Sequence, residues 1–255
     1  MPHLSAIIIT YNEMHHISDC IASLQFADQV IVFDSFSTDK TVSIAQEKGA
    51  RVFQRAFDNF ANQRNATLEA VENESDWVLF VDADERVTPE LAVEIREVIQ
   101  SDTYVAYQIP RHNYLFGKLT TGAGWYPDYQ TRLLKLGFTS YDPQRQVHEL
   151  VLLDGKDSQL KHALIHYNYE NIQHFIEKQR KYAALDAQML YAEGVRPRFR
   201  NFILQPLRHF RWRYITLKGY QDGWHGFRLS VLMAWYEFKK YQYLRDIVKN
   251  PALKN

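Results

Sequence analysis

Cysteine is almost missing from this sequence. Cys20 is the only one in 255 residues, which excludes a disulfide framework and a thiolate metal cluster and fits a reducing cytoplasm. Glycine is missing from the first 48 positions, Gly49 being the first in the chain. The first strand-to-helix turn therefore cannot be the Gly-x-Gly-x-x-Gly cradle of a dinucleotide site. Neither a Gly-x4-Gly-Lys-Ser/Thr phosphate loop nor a Gly-x-Ser-x-Gly nucleophile elbow occurs. No apolar run approaches the ~20 residues that span a bilayer. Met1 to Ser5 carry no basic stretch and lead into a short apolar run, so no secretory signal is expected. Internal repeats and low-complexity tracts are also missing.

What is present is ordinary in bulk and uneven in distribution. Hydrophobic residues make up 46% and charged residues 24%, as in a soluble globular protein. Aromatics reach 14%, with 16 Tyr and 5 Trp. The length suits one α/β domain with an appended part. The formal net charge of zero hides a polarity: residues 1–100 hold 7 Lys/Arg against 17 Asp/Glu, and residues 171–255 hold 16 against 6. An acidic start and a basic end imply separate partners.

Hydrophobic patterning predicts a strand over Leu4 to Thr10, then a helix with Ile17, Ile21 and Leu24 on one face. A second strand over Gln29 to Phe33 leads into Asp34-Ser35-Phe36-Ser37-Thr38-Asp39, whose polar side chains suit the turn and cap of a helix ending at Lys48 and Gly49. A weak strand over Arg51 to Gln54 and a helix over Phe60 to Glu72 follow. Trp77 to Val81 is five apolar residues in a row, the pattern of a strand covered on both faces. Thr88-Pro89 starts a helix burying Leu91, Ile95, Val98 and Ile99. Residues 104–110 and 131–136 read as further strands, separated by a Gly-rich aromatic loop suited to closing over a sugar. From 171 onward the pattern is helical, with breaks expected near Pro206 and Gly219–Gly226. The prediction is an α/β, Rossmann-like sandwich with a largely parallel central sheet: residues 1–170 as the catalytic domain and 171–255 as a helical, basic-aromatic extension.

Asp82, Asp84 and Glu85 follow the fourth strand directly. Residues two apart on extended backbone share a side, so Asp82 and Asp84 can converge on one ligand. Their mutual repulsion calls for a cation, and Mg²⁺ or Mn²⁺ carrying a diphosphate fits oxygen donors. An isolated Asp-x-Asp is more often a solvated loop ahead of a helix. Here the polar clusters at 10–13, 34–39 and 82–85 all follow strands on one predicted edge, where α/β sheets bind ligands.

Thr10-Tyr11-Asn12-Glu13, Asp34-Ser35-Phe36-Ser37-Thr38-Asp39 and Val81-Asp82-Ala83-Asp84-Glu85 resemble the nucleotide-sugar signatures of glycosyltransferase family two, over roughly residues 4–170. Trp125-Tyr126-Pro127-Asp128-Tyr129-Gln130 and Val147-His148-Glu149 make the chain most similar to bacterial lipopolysaccharide inner-core β-1,4-glucosyltransferases. The resemblance implies a GT-A fold and inverting transfer of a sugar, glucose from UDP-glucose, to core heptose. It implies that Thr10, Tyr11, Asn12, Glu13, Asp34, Ser35, Arg64, Asn65 and Asp82 contact the nucleotide sugar. It implies Asp84 and Asp82 as ligands of Mg²⁺ or Mn²⁺, with His166 on the metal or diphosphate. The alternative for His166 is a hydrogen-bonded structural histidine. Many relatives carry a second acid and then glycine where this chain has Ser35 and Phe36. The reaction needs a base near the acceptor hydroxyl: Glu149 matches the family's acidic position, and Asp128 is the runner-up.

Between Gly194 and Lys218 stand seven Lys/Arg and no acid, interleaved with Phe199, Phe202, Phe210, Trp212 and Tyr214. This composition suits an anionic membrane surface, which a lipid-linked glycan acceptor would justify; nucleic acid is not expected, because the acidic end would repel it. The expected location is cytoplasmic, peripheral on the inner membrane. Three alternatives stand beside this reading. One is a family-two transferase acting on a different lipid-linked or cell-surface glycan. Another is a sugar-phosphate nucleotidyltransferase, although the Gly-rich basic loop of that class is absent. The third is an inactive transferase-like membrane scaffold.

Overall fold

A computed structural model describes residues 1–143 and 150–250. In chain order the elements are β1 (Leu4–Thr10), α1 (Ile17–Ser23), β2 (Gln29–Asp34), α2 (Thr41–Glu47), β3 (Arg51–Gln54), α3 (Phe60–Val71), β4 (Trp77–Asp82), β5 (Glu85–Arg86) and α4 (Pro89–Val98). Then follow β6 (Ala106–Leu115), β7 (Lys118–Leu119), β8 (Tyr129–Lys135), β9 (Thr139–Tyr141), β10 (Val151–Leu153), β11 (Asp157–Gln159) and β12 (Leu164–Tyr169). Helices α5 (Ile172–Ala192), α6 (Asn201–Arg211) and α7 (Trp224–Lys249) complete the described chain.

Two compact units divide these elements. The first comprises Met1–Arg111 and Tyr129–His166. Its sheet runs β3-β2-β1-β4-β8-β6, with the first four strands parallel and β8 antiparallel to both β4 and β6. The sheet is thus mostly parallel, as expected for the α/β sandwich. Alternate residues of β1 go to opposite faces. Leu4, Ala6 and Ile8 pack with Ile17, Ile21, Leu91 and Ile95 of α1 and α4. Ile7 packs with Ala61, Leu68 and Val71 of α3. Burial on both faces is why these strands read as unbroken apolar runs.

Local chemistry sets the helix starts. Asn59 Oδ1 caps α3 through the Asn62 N–H at 2.8 Å, and Thr88 Oγ1 caps α4 through the Leu91 N–H at 3.2 Å, with Pro89 in the first turn. Register then aligns the strand ends. Thr10 lies beside Asp34, Asp34 beside Gln54, and Ile9 beside Asp82. The four parallel strands therefore finish on one edge.

The second unit comprises His112–Asp128 and the chain from Tyr167 onward. Its core joins Leu115, Tyr169, Phe175, Leu229 and Met233. The Gly-rich loop expected to close over a sugar is tethered in this unit. Asp222 accepts from the N–H groups of Thr121 and Gly122, and Arg213 Nη1 donates to the Ala123 carbonyl at 2.7 Å. Thr120 Oγ1 meets buried His225 at 3.0 Å. Pro206, where a break was expected, lies inside α6. Proline removes one helical hydrogen bond, but the aromatic side chains around it hold the helix to α7, with Phe202 against Phe238 and Phe210 against Phe227. The interruption comes later, as a π turn over Trp212–Thr216 and a 3₁₀ turn over Gly219–Asp222. The break expected near Gly219–Gly226 is present, since α7 begins only at Trp224, with Gly226 in its first turn. A Cβ there would stand 1.8 Å from the Gly219 carbonyl oxygen, so the 3₁₀ turn packs where a side chain would have been.

Candidate functional site

The site is built at the carboxyl edge of the first unit. Asp34 is fully buried at the end of β2. Its carboxylate accepts from Thr10 Oγ1 at 3.2 Å, Ser37 N at 2.8 Å and Gln54 Nε2 at 3.1 Å, and from the Ser37 hydroxyl. Asp34 therefore braces the ends of three strands. The Ser35 N–H donates to the Thr10 carbonyl at 2.9 Å, and Ser35 Oγ accepts from Gln63 Nε2 at 3.4 Å.

The loops after β1 and β2 are tied to each other. Asn12 Oδ1 accepts from Thr38 N at 2.8 Å, while the Asn12 N–H donates to Ser37 Oγ at 2.8 Å. The Glu13 N–H donates to Thr41 Oγ1 at 2.8 Å. Asn12 and Phe36 adopt left-handed backbone, with φ of 57° and 60°; for a bulky side chain such as Phe36 this conformation is strained. The rings of Tyr11 and Phe36 nevertheless stay exposed.

Beside these loops, arginines gather on the carboxylates. Arg132 of β8 grips Asp82 through both terminal nitrogens and also donates to Glu85 Oε1 at 3.0 Å. Arg111 reaches the same Glu85 oxygen at 3.3 Å. The other Glu85 oxygen accepts from the Asp82 N–H at 2.9 Å. Arg64 stands 3.8 Å from Asp82 and lies over the Phe80 and Tyr141 rings. Desolvation opposes the Asp82 charge, but Arg132 and then Arg64 outweigh it and hold the carboxyl well below the usual carboxylate range. Arg132 loses by desolvation and gains more from Asp82 and Glu85, so its pKa is raised. Its Nε is buried without a hydrogen-bond partner among the described residues.

Asp84 and His166 come together. Strand β12 pairs with β5, His166 opposite Glu85, and His166 Nε2 lies 3.5 Å from Asp84 Oδ2. A carboxylate oxygen and an imidazole nitrogen fit Mn²⁺ or Mg²⁺ that completes its shell with phosphate oxygens. Among the described residues no three His, Cys, Asp or Glu side chains form a fuller cage. Asp82, expected at the ribose or as a second metal ligand, has its carboxylate paired with Arg132, whose guanidinium fork matches both its oxygens.

Other expected residues lie elsewhere. Asn65 uses its whole amide on the Tyr141 backbone, with two hydrogen bonds of 2.8 Å, and so joins α3 to β9. Asp128 belongs to the second unit, where it accepts from Asn113 Nδ2 at 3.0 Å. Glu149 lies outside the described residues. Sequence reasoning missed Arg132, Arg111 and Gln54. Arg132 had a signal, a cation directly ahead of the apolar pair Leu133-Leu134; Arg111 and Gln54 had none, and the partners of all three are distant in sequence.

Residues 5–144 match the sequence profile of glycosyl transferase family 2. The chain belongs to that family. Over 242 residues it is 30% identical to the lipopolysaccharide core biosynthesis glycosyltransferase LpsC of Rhizobium meliloti (strain 1021), covering 92% of this chain and 89% of that protein. An uncharacterized glycosyltransferase of Rickettsia bellii is 30% identical over 268 residues, covering 99% and 90%. Among solved structures, S. aureus TarS 1–349 in complex with UDP is similar, with a TM-score of 0.48, 17% identity and coverage of 98% and 91%. Glucosyl-3-phosphoglycerate synthase of Mycobacterium tuberculosis, in complex with Mn²⁺, UDP and glucosyl-3-phosphoglycerate, gives 0.49 and 18%, over 77% and 81%. The protein is a glycosyltransferase. Family membership sets aside the sugar-phosphate nucleotidyltransferase.

Proposed function

We propose that this transferase moves glucose from UDP-glucose, with inversion, to a heptose of the lipopolysaccharide inner core. We place it peripherally on the cytoplasmic face of the inner membrane, with residues 1–170 as the catalytic part and 171–255 as an extension toward the membrane. The observation that carries the reading is the convergence of the 10–13, 34–39 and 82–85 clusters on one sheet edge, in a chain similar to a lipopolysaccharide core transferase.

In this reading the exposed Tyr11 and Phe36 rings offer stacking faces to the base. Asp34, braced by Thr10, Ser37 and Gln54, fixes the loop that carries Phe36. Asp84 and His166 would hold Mg²⁺ or Mn²⁺, which when bound neutralises the leaving diphosphate. Arg64 and Arg132 keep Asp82 ionised and in place beside it. Glu149 takes the proton of the acceptor hydroxyl as its oxygen bonds to the anomeric carbon. The bond from that carbon to the diphosphate breaks, and its electron pair leaves with UDP. Asp128 is the runner-up for the base.

Purified protein incubated with UDP-glucose, Mn²⁺ and a heptose-containing lipid acceptor should release UDP and yield a glycosylated product. Failure of both, together with no metal-dependent UDP binding by calorimetry, would overturn the reading. Asp84→Ala should abolish metal-dependent UDP binding. Glu149→Gln should bind UDP normally and lose transfer, and normal transfer by that variant would remove Glu149 from the role.

A further inference from the structure

Helix α6 has no buried residue, yet its two sides differ. The inner side is occupied: Phe202 meets Phe238 and Tyr241, and Phe210 meets Tyr214 and Phe227. The outer side is apolar where a solvated helix would be polar. Ile203, Leu204 and Leu207 are 49%, 51% and 60% exposed. The π turn continues the same rows at i+4 spacing, adding exposed Trp212 and Ile215. These side chains are not spill-over from an unfinished core, because α7 already fills the inner face.

The charges on that outer side have one sign. Arg200, Arg208 and Arg211 are exposed there, and no acid occurs from Gly194 to Lys218. Two acids of the neighbouring segments, Asp222 and Glu237, are already paired. Asp222 binds the Thr121 and Gly122 amides, and Glu237 binds His209 and Lys240. Arg213, from the same basic run, is turned inward to the Ala123 carbonyl and the Trp125 ring, so it is not part of the face.

Exposed apolar side chains interleaved with arginines and no acid are complementary to one kind of surface, phosphate above and acyl chain below. A second copy of the chain packed on it symmetrically would set these arginines against themselves. No helix among the described residues is long and apolar enough to cross a membrane, so the contact is in the plane of the bilayer. We propose that the outer face of residues 201–216 docks on an anionic lipid bilayer, with Leu207 and Trp212 at the acyl boundary and Arg200, Arg208 and Arg211 on headgroup phosphates. The inference names the membrane contact of the function proposed above and rests on it only for the acceptor's location, since vesicle binding requires no transfer.

The full chain should co-sediment with vesicles of phosphatidylcholine and phosphatidylglycerol, and only weakly with phosphatidylcholine alone. Arg200→Glu/Arg208→Glu/Arg211→Glu should bind the anionic vesicles roughly 100-fold more weakly. Leu207→Ser/Trp212→Ser should lose the part of binding that survives high salt. UDP binding by calorimetry, unchanged in both variants, shows that they are folded and separates this test from that of the transfer reaction. Absence of wild-type binding to anionic vesicles, or undiminished binding by the triple variant, overturns the proposal. So does a wild-type dimer in sedimentation velocity that the Leu207→Ser/Trp212→Ser variant dissociates, which would make a second copy the occupant.

Discussion

Arg132 carries more of the site than any single carboxylate does. It neutralises Asp82 and fully buried Glu85 with one guanidinium. Arg132→Met leaves Glu85 with Arg111 as its remaining cation, and stability should fall by about 3 kcal/mol in urea unfolding. Arg132→Lys should recover little of this, because an ammonium cannot repeat the two-pronged contact. The sign of the pH effect follows from the Asp82 shift. Its folded pKa lies below the unfolded one, so its stabilisation is fully present above the ordinary carboxylate value of about 4 and is lost progressively as pH falls from there through the folded pKa. In Arg132→Met the gap between folded and unfolded Asp82 pKa narrows, since Arg132 is the leading cation holding it down, so this acid-side loss should shrink, visible in urea midpoints taken against pH. Phe36 offers a second test. Phe36→Gly removes strain at positive φ but adds freedom to the unfolded chain, so stability should change by less than ~1 kcal/mol. UDP affinity should fall several-fold, and an unchanged affinity would remove Phe36 from base binding.

Among the elements, the buried parallel strands were the most legible. β1 and β4 are covered on both faces, and a strand in that setting announces itself as an apolar run. The two- and three-residue strands β5, β7, β9, β10 and β11 carry too few side chains for any period; β5 and β11 exist because distant strands pair with them, while β7 folds back on β6 and β9 pairs with β10 nearby in the chain. The placement of His166 opposite Glu85 depends on one such pairing and could not be read from spacing. Pro206 shows the reverse error, a strong local breaker overridden by aromatic packing on α7. Gly226 makes the corresponding prediction. Gly226→Ala places a methyl group against the Gly219 carbonyl with no room to yield, and should destabilise the protein by about 3 kcal/mol or more in urea melts. Gly49→Ala, whose Cβ meets open space, should cost only the strain of its positive φ, about 1 kcal/mol.

At the scale of the molecule, the second unit is assembled from two separate stretches of chain. Composition marked the helical, basic extension but could not show that His112–Asp128 belongs with it. That loop is held by Asp222, Arg213 and His225, three residues about a hundred positions away. A chain truncated after Glu170 should therefore leave 112–128 without its anchors. Limited proteolysis should cut the truncated chain rapidly in that loop and the full chain slowly; equal rates would show that the tethers contribute nothing to its order.

Cys20 has a practical consequence. It is buried in α1, its thiol lies 3.6 Å from the Asp82 carbonyl, and desolvation pushes its pKa well above the usual thiol value. A thiol kept protonated and enclosed does not react with alkylating reagents while the fold is intact. The wild-type chain is thus a silent background for site-directed labelling: a cysteine placed on the outer face of α6 could carry a fluorophore or spin label to report vesicle contact, with no native thiol to remove. The same thiol, once it does react, times the opening of the sheet around the carboxylates.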